Sequence, residues 1–119
     1  MPQIWASDNT DAISRARIQN SYSYGYPQSV IAAHVSGCPN HQTLRRTPLT
    51  SRFAIARVGI LGYECNLSDA SMEDMEEIRA EIELYKKWRS VLQFGDWYRL
   101  YEEVDKKSIY DTDVIRWNI

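Results

Sequence analysis

Ser29-Val30-Ile31-Ala32-Ala33-His34-Val35 is a continuous run of small and apolar residues. Alternation would mark a strand with one wet face; a continuous run marks a strand covered on both faces, as in parallel sheets. The run ends in a polar loop, Ser36 to Thr47, that holds Gly37, Pro39 and Asn40. Pro48 then stands where a first helical turn begins, ahead of Leu49 to Val58, and its fixed φ and missing N–H suit that place. The unit is strand, loop, helix, and it recurs on either side.

Upstream, Gln3 to Ser7 reads as a short strand that runs into Ser7-Asp8-Asn9-Thr10-Asp11, a cluster suited to a turn and a helix cap. Ala12, Ile13, Ala16 and Ile18, interleaved with Arg15 and Arg17, predict an amphipathic helix that fails over Ser21 to Pro27, where Gly25 and Pro27 break it. Downstream, Gly59-Ile60-Leu61-Gly62-Tyr63-Glu64-Cys65-Asn66-Leu67 predicts a glycine-flanked entry into a third strand of about five residues. A long helix over Met72 to Leu92 follows. Ser71 and Asp74 make a capping box, and Met75, Ile78, Ile82, Tyr85, Trp88 and Leu92 recur at spacings of three and four. Acidic residues crowd its first turns, and Lys86, Lys87 and Arg89 are placed in its last, as the helix dipole prefers. Gly95 closes it, Trp97 to Tyr101 is β-prone, and Glu102 to Ile119 reads as a mixed polar tail without periodicity.

Three strand-helix units in series predict a parallel α/β protein, either a barrel or an open sheet. A complete eightfold barrel takes about 250 residues, so the 119 residues here cannot close one, and the outer strands would leave unpaired edges. The pattern alone does not separate a small complete domain from a piece of a barrel.

Composition narrows the function classes. Charged residues make up 25% of the chain and the net charge is -2, so no broad basic field exists to attract nucleic acid or anionic lipid. The longest apolar runs, Val30 to Ala33 and Val58 to Leu61, fall far short of the ~20 residues of a membrane span. The opening Met-Pro-Gln-Ile-Trp carries neither a basic leader nor an apolar signal core, which predicts a cytoplasmic protein. Cys38 and Cys65 are too few for a disulfide scaffold and are expected to be free thiols, and the sequon Asn66-Leu67-Ser68 is expected to be silent.

Several residues could carry chemistry. Cys38 and His41 are three apart with His34 nearby, but zinc wants four ligands and Cys65 would have to arrive from another strand, so no metal site is expected. Asp8-Asn9-Thr10-Asp11 lacks the alternation and length of a calcium loop. No phosphate-binding glycine loop, dinucleotide fingerprint or Gly-x-Ser-x-Gly is present, and no cofactor is expected. His34, His41, Asn40 and Gln42 read as hydrogen-bonding residues that order a loop, and Glu64 as structural. Composition alone favours Asp8 as a helix N-cap, although Asp11, one turn on, is the better cap. Trp5 reads as core.

Five ordered motifs add to this. Pro2-Gln3-Ile4-Trp5-Ala6-Ser7-Asp8-Asn9-Thr10-Asp11-Ala12 resembles the PQIWTSDxTDA segment of family 36 α-galactosidases, with Ala6 where Thr is usual. Ala33-His34-Val35-Ser36 followed by Pro39-Asn40-His41-Gln42-Thr43 is similar to that family's GAHVSxxPNHQT. Thr47-Pro48-Leu49 with Ser51-Arg52-Phe53, Leu61-Gly62-Tyr63-Glu64, and Phe94-Gly95-Asp96-Trp97-Tyr98-Arg99-Leu100 resemble its TPLxTRF, LGYELDL and QYGDFYRL segments. The resemblance covers residues 2 to about 100. Arg45 stands in a stretch where the family usually has Gly-Arg, Cys65-Asn66 replaces Leu-Asp, and Asn20 to Tyr26 replaces a YGTSxVYP-like run.

The resemblance implies a partial TIM (β/α)8 barrel of about three C-terminal βα units over residues 1–94, with 95–119 as the start of a C-terminal β region or an irregular tail. It implies an enzyme that hydrolyses terminal α-galactosyl groups of oligosaccharides with retention, and tetramers as the usual assembly. Asp8 resembles the acid/base carboxyl, and Trp5 becomes a candidate apolar wall beside the sugar. The family's nucleophilic aspartate lies in a Lys-Trp-Asp type motif, which this chain lacks. The chain alone is therefore expected to be inactive. Two other readings are an inactive truncated product and a lectin-like module that binds sugar without catalysis.

Overall fold

The computed structural model describes residues 3–103 and 114–118. Three parallel strands, β1 (Ile4–Trp5), β2 (Ile31–Ser36) and β3 (Ile60–Glu64), form one sheet in the order β1-β2-β3. Helices α1 (Ala12–Tyr22), α2 (Leu49–Ala56) and α3 (Met72–Phe94) follow the strands in turn. The predicted strand-helix alternation and parallel sheet are present. The strand expected from Ser29 begins two residues later, because Gln28–Val30 forms a 3-10 turn that leads into it.

The central strand explains the continuous apolar run. Ala33 and Val35 pack against Leu49, Phe53 and Ala56 of α2 and Ile78 and Tyr85 of α3. The register sets Leu61 and Tyr63 beside Ala33 and Val35, so they share that helix-covered face and pack on its core. The opposite face carries Ala32, His34 and Ser36 of β2, with Trp5 paired to Ala32, Gly62 to His34 and Glu64 to Ser36.

Tyr85 ties α3 to the start of β3. Its hydroxyl donates to the Gly59 carbonyl at 2.9 Å and accepts from the Leu61 N–H at 3.2 Å and Gln93 Nε2 at 2.7 Å, so the buried phenol oxygen is satisfied. Gly59 is required there: a Cβ would stand 2.4 Å from the Ile31 carbonyl oxygen.

The predicted caps form. Asp11 caps α1 by accepting from the Ser14 N–H at 3.1 Å, and Ser71 accepts from the Asp74 N–H at 3.0 Å at the head of α3. Other expectations need correction. The buried face of α1 is Ala12, Arg15, Gln19 and Asn20, whereas Ile13 is exposed. This face meets main-chain carbonyls: Arg15 donates to Ser7 and Ala32, and Gln19 donates to Ile55 at 2.9 Å. Trp88 on α3 is 47% exposed, and Glu81, a carboxylate between the apolar positions Ile78 and Tyr85, is buried. The helix runs to Phe94, so Lys86, Lys87 and Arg89 fall short of its last turn.

A second sheet pairs β4 (Tyr98–Glu103) with β5 (Val114–Asn118) in antiparallel fashion. Of the span read as the start of a β region or an irregular tail, Glu102 and Glu103 belong to β4 and Val114–Asn118 form β5, while residues 104–113 and 119 lie outside the described residues. The apolar content of β5 is too short to show a period by itself; the partner strand supplies the missing half of the signal.

Candidate active site

Main-chain geometry brings Asp8 to the carboxyl end of the sheet. β1 stops at Trp5, and Ser7 to Asp11 turn back into α1: Ser7 Oγ accepts from the Asn9 N–H at 3.1 Å, and Asn9 Oδ1 accepts from the Asp11 N–H at 3.0 Å. Short polar side chains that bond to nearby main chain fix such turns. Asp8 is left exposed at their apex, where parallel α/β folds gather ligands. Trp5 Nε1 donates to Asp8 Oδ1 at 2.7 Å.

Trp5 is not a core residue; it is 42% exposed, on the sheet face opposite Ala33 and Val35. Its ring lies 4.7 Å from the His34 ring, and the Arg15 guanidinium is 5.7 Å from its centroid, within cation–π reach. His34 Nδ1 lies 3.4 Å from Glu64 Oε2. His34 is thus a sheet residue that pairs with Glu64, rather than a loop-ordering one. Gly62 makes room for it: a Cβ on Gly62 would come within 2.5 Å of His34 Cδ2. A glycine inside a strand pattern signals such a close approach, and it is the sequence feature that could have revealed this contact.

Arg15 was hidden from sequence reasoning. It is 2% exposed, and burial pushes its pKa down, an effect opposed by the charge of Glu64. Its terminal nitrogens reach the Ser7 and Ala32 carbonyls, which fastens the turn that carries Asp8 to the central strand.

Behind Asp8, the loop after β2 is held by Asn40, which is 2% exposed. Asn40 Nδ2 donates to Thr10 Oγ1 at 3.2 Å and Ser36 Oγ at 3.4 Å, while Oδ1 accepts from the Gln42 and Thr43 N–H groups at 3.0 and 3.1 Å. Arg45 pairs with Asp11, so the loop is bound to the cap of α1. The loop-ordering role read for Asn40 is present; His41 and Gln42 are exposed. Leu44 takes a left-handed φ of 58°.

Cys38 and Cys65 are unpaired thiols that line one cavity of about 280 Å³ with Arg52, Asn66, Asp69 and Asp74. Burial pushes the Cys65 thiol up, with Arg52 opposing. Among the described residues no three His, Cys, Asp or Glu side chains come together as a metal would require. No described helix is long and apolar enough to cross a membrane.

The melibiase family profile matches residues 1–95. The chain belongs to the melibiase family, the α-galactosidases of glycoside hydrolase family 36. It is 49% identical over 100 residues to Alpha-galactosidase 1 of Pediococcus pentosaceus, covering 84% of this chain and 14% of that protein. It is 52% identical over 99 residues to Alpha-galactosidase Mel36A of Lactobacillus acidophilus, covering 83% and 14%. Among solved structures, the galactosidase domain of the α-galactosidase-sucrose kinase AgaSK superposes with a TM-score of 0.82 at 48% identity, over 84% of this chain and 14% of that one. A variant of AgaA from Geobacillus stearothermophilus, in complex with raffinose, superposes with a TM-score of 0.83 at 42% identity, over 85% and 14%. The chain therefore spans about one seventh of the length of the relatives it matches, and its three-stranded parallel sheet and helices match a piece of their galactosidase domain.

Proposed function

We propose that this melibiase chain supplies the proton-transferring part of a retaining α-galactosidase site. Residues 1–94 are read as the last three βα units of a (β/α)8 barrel and 95–119 as the start of the β region that follows it. The observation that carries the reading is the exposed Asp8 carboxyl at the carboxyl end of β1, with one oxygen already held by Trp5. Barrel enzymes assemble their active sites on that end of the sheet. The partial exposure of the outer strands, beside a central strand buried at nearly every position, fits a sheet that continues in a longer protein.

Retaining glycosidases use two carboxyl groups roughly 5 Å apart, one as nucleophile and one as acid/base. Asp8 is assigned the second role. It gives its proton to the glycosidic oxygen as the sugar leaves, then takes one from the water that attacks the galactosyl-enzyme. Asp11 is committed to the α1 cap and Arg45, and Glu64 faces His34, so neither is assigned as nucleophile. The nucleophile is assigned to a segment outside this chain, and the chain alone is read as inactive. Trp5 offers an apolar wall to the sugar.

The substrates are read as raffinose-type α-galactosides, by analogy with the relatives solved with raffinose and stachyose. A cytoplasmic location is supported by the two free thiols. Assembly with further copies is supported by Leu84, Trp88 and Val91, which are exposed along a groove between α2 and α3.

The test joins the chain to the remainder of the barrel from the Pediococcus relative. Asp8→Asn in that polypeptide should lower raffinose hydrolysis by about 10²–10⁴-fold. Raffinose hydrolysis that persists undiminished would refute the assignment.

A further inference from the structure

On the reading of Asp8 as the acid/base, we infer that Trp5 is its positioning residue: the indole N–H occupies Asp8 Oδ1 and reserves Oδ2 for the proton that is transferred. An indole N–H can only donate, so the 2.7 Å contact obliges Oδ1 to accept. The proton of the neutral carboxyl then belongs on Oδ2. In the first step that proton passes from Oδ2 to the glycosidic oxygen, which keeps the electron pair of the breaking C–O bond while the nucleophile bonds to the anomeric carbon. In the second step Oδ2 accepts a proton from water as the water oxygen bonds to that carbon and the nucleophile leaves.

A donor positions a carboxyl only if the donor itself is fixed, and three strands contribute to fixing this one. The Trp5 ring is held by His34 at 4.7 Å and by the Arg15 guanidinium at 5.7 Å. His34 is held by Glu64 through Nδ1, and its ring fills the space that the absent Cβ of Gly62 leaves open. The register makes this a row across the sheet: Glu64 and Gly62 on β3, His34 on β2, Trp5 on β1, and Asp8 just beyond. Arg15 also bonds to the Ser7 carbonyl, so the same side chain anchors the ring and the turn. Gly62 and His34 therefore act on Asp8 through Trp5.

Leaving groups separate this role from a structural one. p-Nitrophenol departs readily without a proton, whereas the sugar alcohol released from raffinose needs one. In the joined polypeptide, Trp5→Phe keeps an aromatic six-membered ring on β1 and removes the N–H together with the five-membered ring that carries it. It should lower kcat/KM for raffinose about tenfold, the size of one charge-assisted hydrogen bond, and leave p-nitrophenyl α-galactoside within about twofold. Gly62→Ala should reproduce the split by displacing His34. Asp8→Asn run alongside keeps the two claims apart. If Asp8→Asn does not penalise raffinose more than the aryl substrate, the acid/base reading has failed. If it does and Trp5→Phe lowers both substrates equally, or neither, the positioning role is overturned. The 119-residue chain gives an independent readout by NMR: Asp8→Ala should shift the Trp5 indole N–H resonance upfield, and an unmoved resonance also overturns it.

Discussion

Leu44 shows how a single residue can work against its own backbone. Its φ of 58° lies in the left-handed region, which costs an ordinary L-residue about 1–2 kcal/mol, and its side chain is 74% exposed and recovers little by packing. The position is retained because Leu44 N–H bonds to the Asn40 carbonyl at 2.9 Å and Asn40 N–H to the Arg45 carbonyl at 2.9 Å, closing the loop. Leu44 precedes Arg45, in the stretch where family members usually carry Gly-Arg. Leu44→Gly should stabilise the chain by roughly 0.5–1 kcal/mol, once glycine's extra freedom in the unfolded chain is subtracted. Urea denaturation would measure it; a loss of stability would contradict this account of the loop. Arg15→Met tests the opposite case. It keeps the stem and abandons the Ser7 and Ala32 carbonyls, so it should cost about 1–3 kcal/mol in the same assay. At this scale local chemistry was legible and distant chemistry was not. Asp11 could be read as a cap because its partner is three residues away. Arg15 could not be read as buried because the Ala32 carbonyl lies 17 residues on.

Among the elements, α3 shows best what periodicity captures and what it omits. Of its stripe of Met75, Ile78, Ile82, Tyr85, Trp88 and Leu92, Ile78 and Tyr85 lie in the core and Met75, Ile82 and Leu92 pack against it, whereas Trp88 is 47% exposed. The stripe did not predict Glu81, which is 6% exposed, because a carboxylate between apolar positions looks solvated until the neighbouring strand is placed. Tyr63 of β3 donates to Glu81 Oε2 at 2.9 Å, while Oε1 has no partner. Burial pushes the Glu81 carboxyl up, and the Tyr63 bond only partly opposes this. A carboxyl raised in the folded state lends its stability below its unfolded pKa and loses it as pH rises through the folded one. Stability of the chain should therefore decline as pH rises from about 4 through the raised range, relative to Glu81→Gln, whose amide oxygen can still accept from Tyr63. Denaturation of both proteins at several pH values measures the difference. A gap that stays constant with pH would show that Glu81 is ionised without penalty. The three strands of the parallel sheet were legible to within two or three residues, and α1 was the helix least well read, since its buried face is polar.

The parallel sheet sets one well-covered strand between two partly covered ones. The continuous run from Ile31 to Val35 announced the parallel sheet, and the structure buries Ile31, Ala32, Ala33 and Val35 at 0–2% exposure. β5 was not legible, because its pairing with β4 joins residues separated in sequence. Asp8 became a candidate site residue only through its motif, since composition alone favoured a cap. The contacts through Trp5, His34 and Gly62 required the three strands to be set side by side. The chain is proposed to hold a proton-transferring carboxyl without the nucleophile that completes the reaction. Release of p-nitrophenol from p-nitrophenyl α-galactoside tests it most directly, measured for the purified chain, for its Asp8→Asn variant and for the polypeptide joined to the rest of the barrel. No release is expected from the chain or its variant, and release is expected from the joined polypeptide. Release by the chain alone, with or without Asp8, would place a nucleophile within these 119 residues and contradict it.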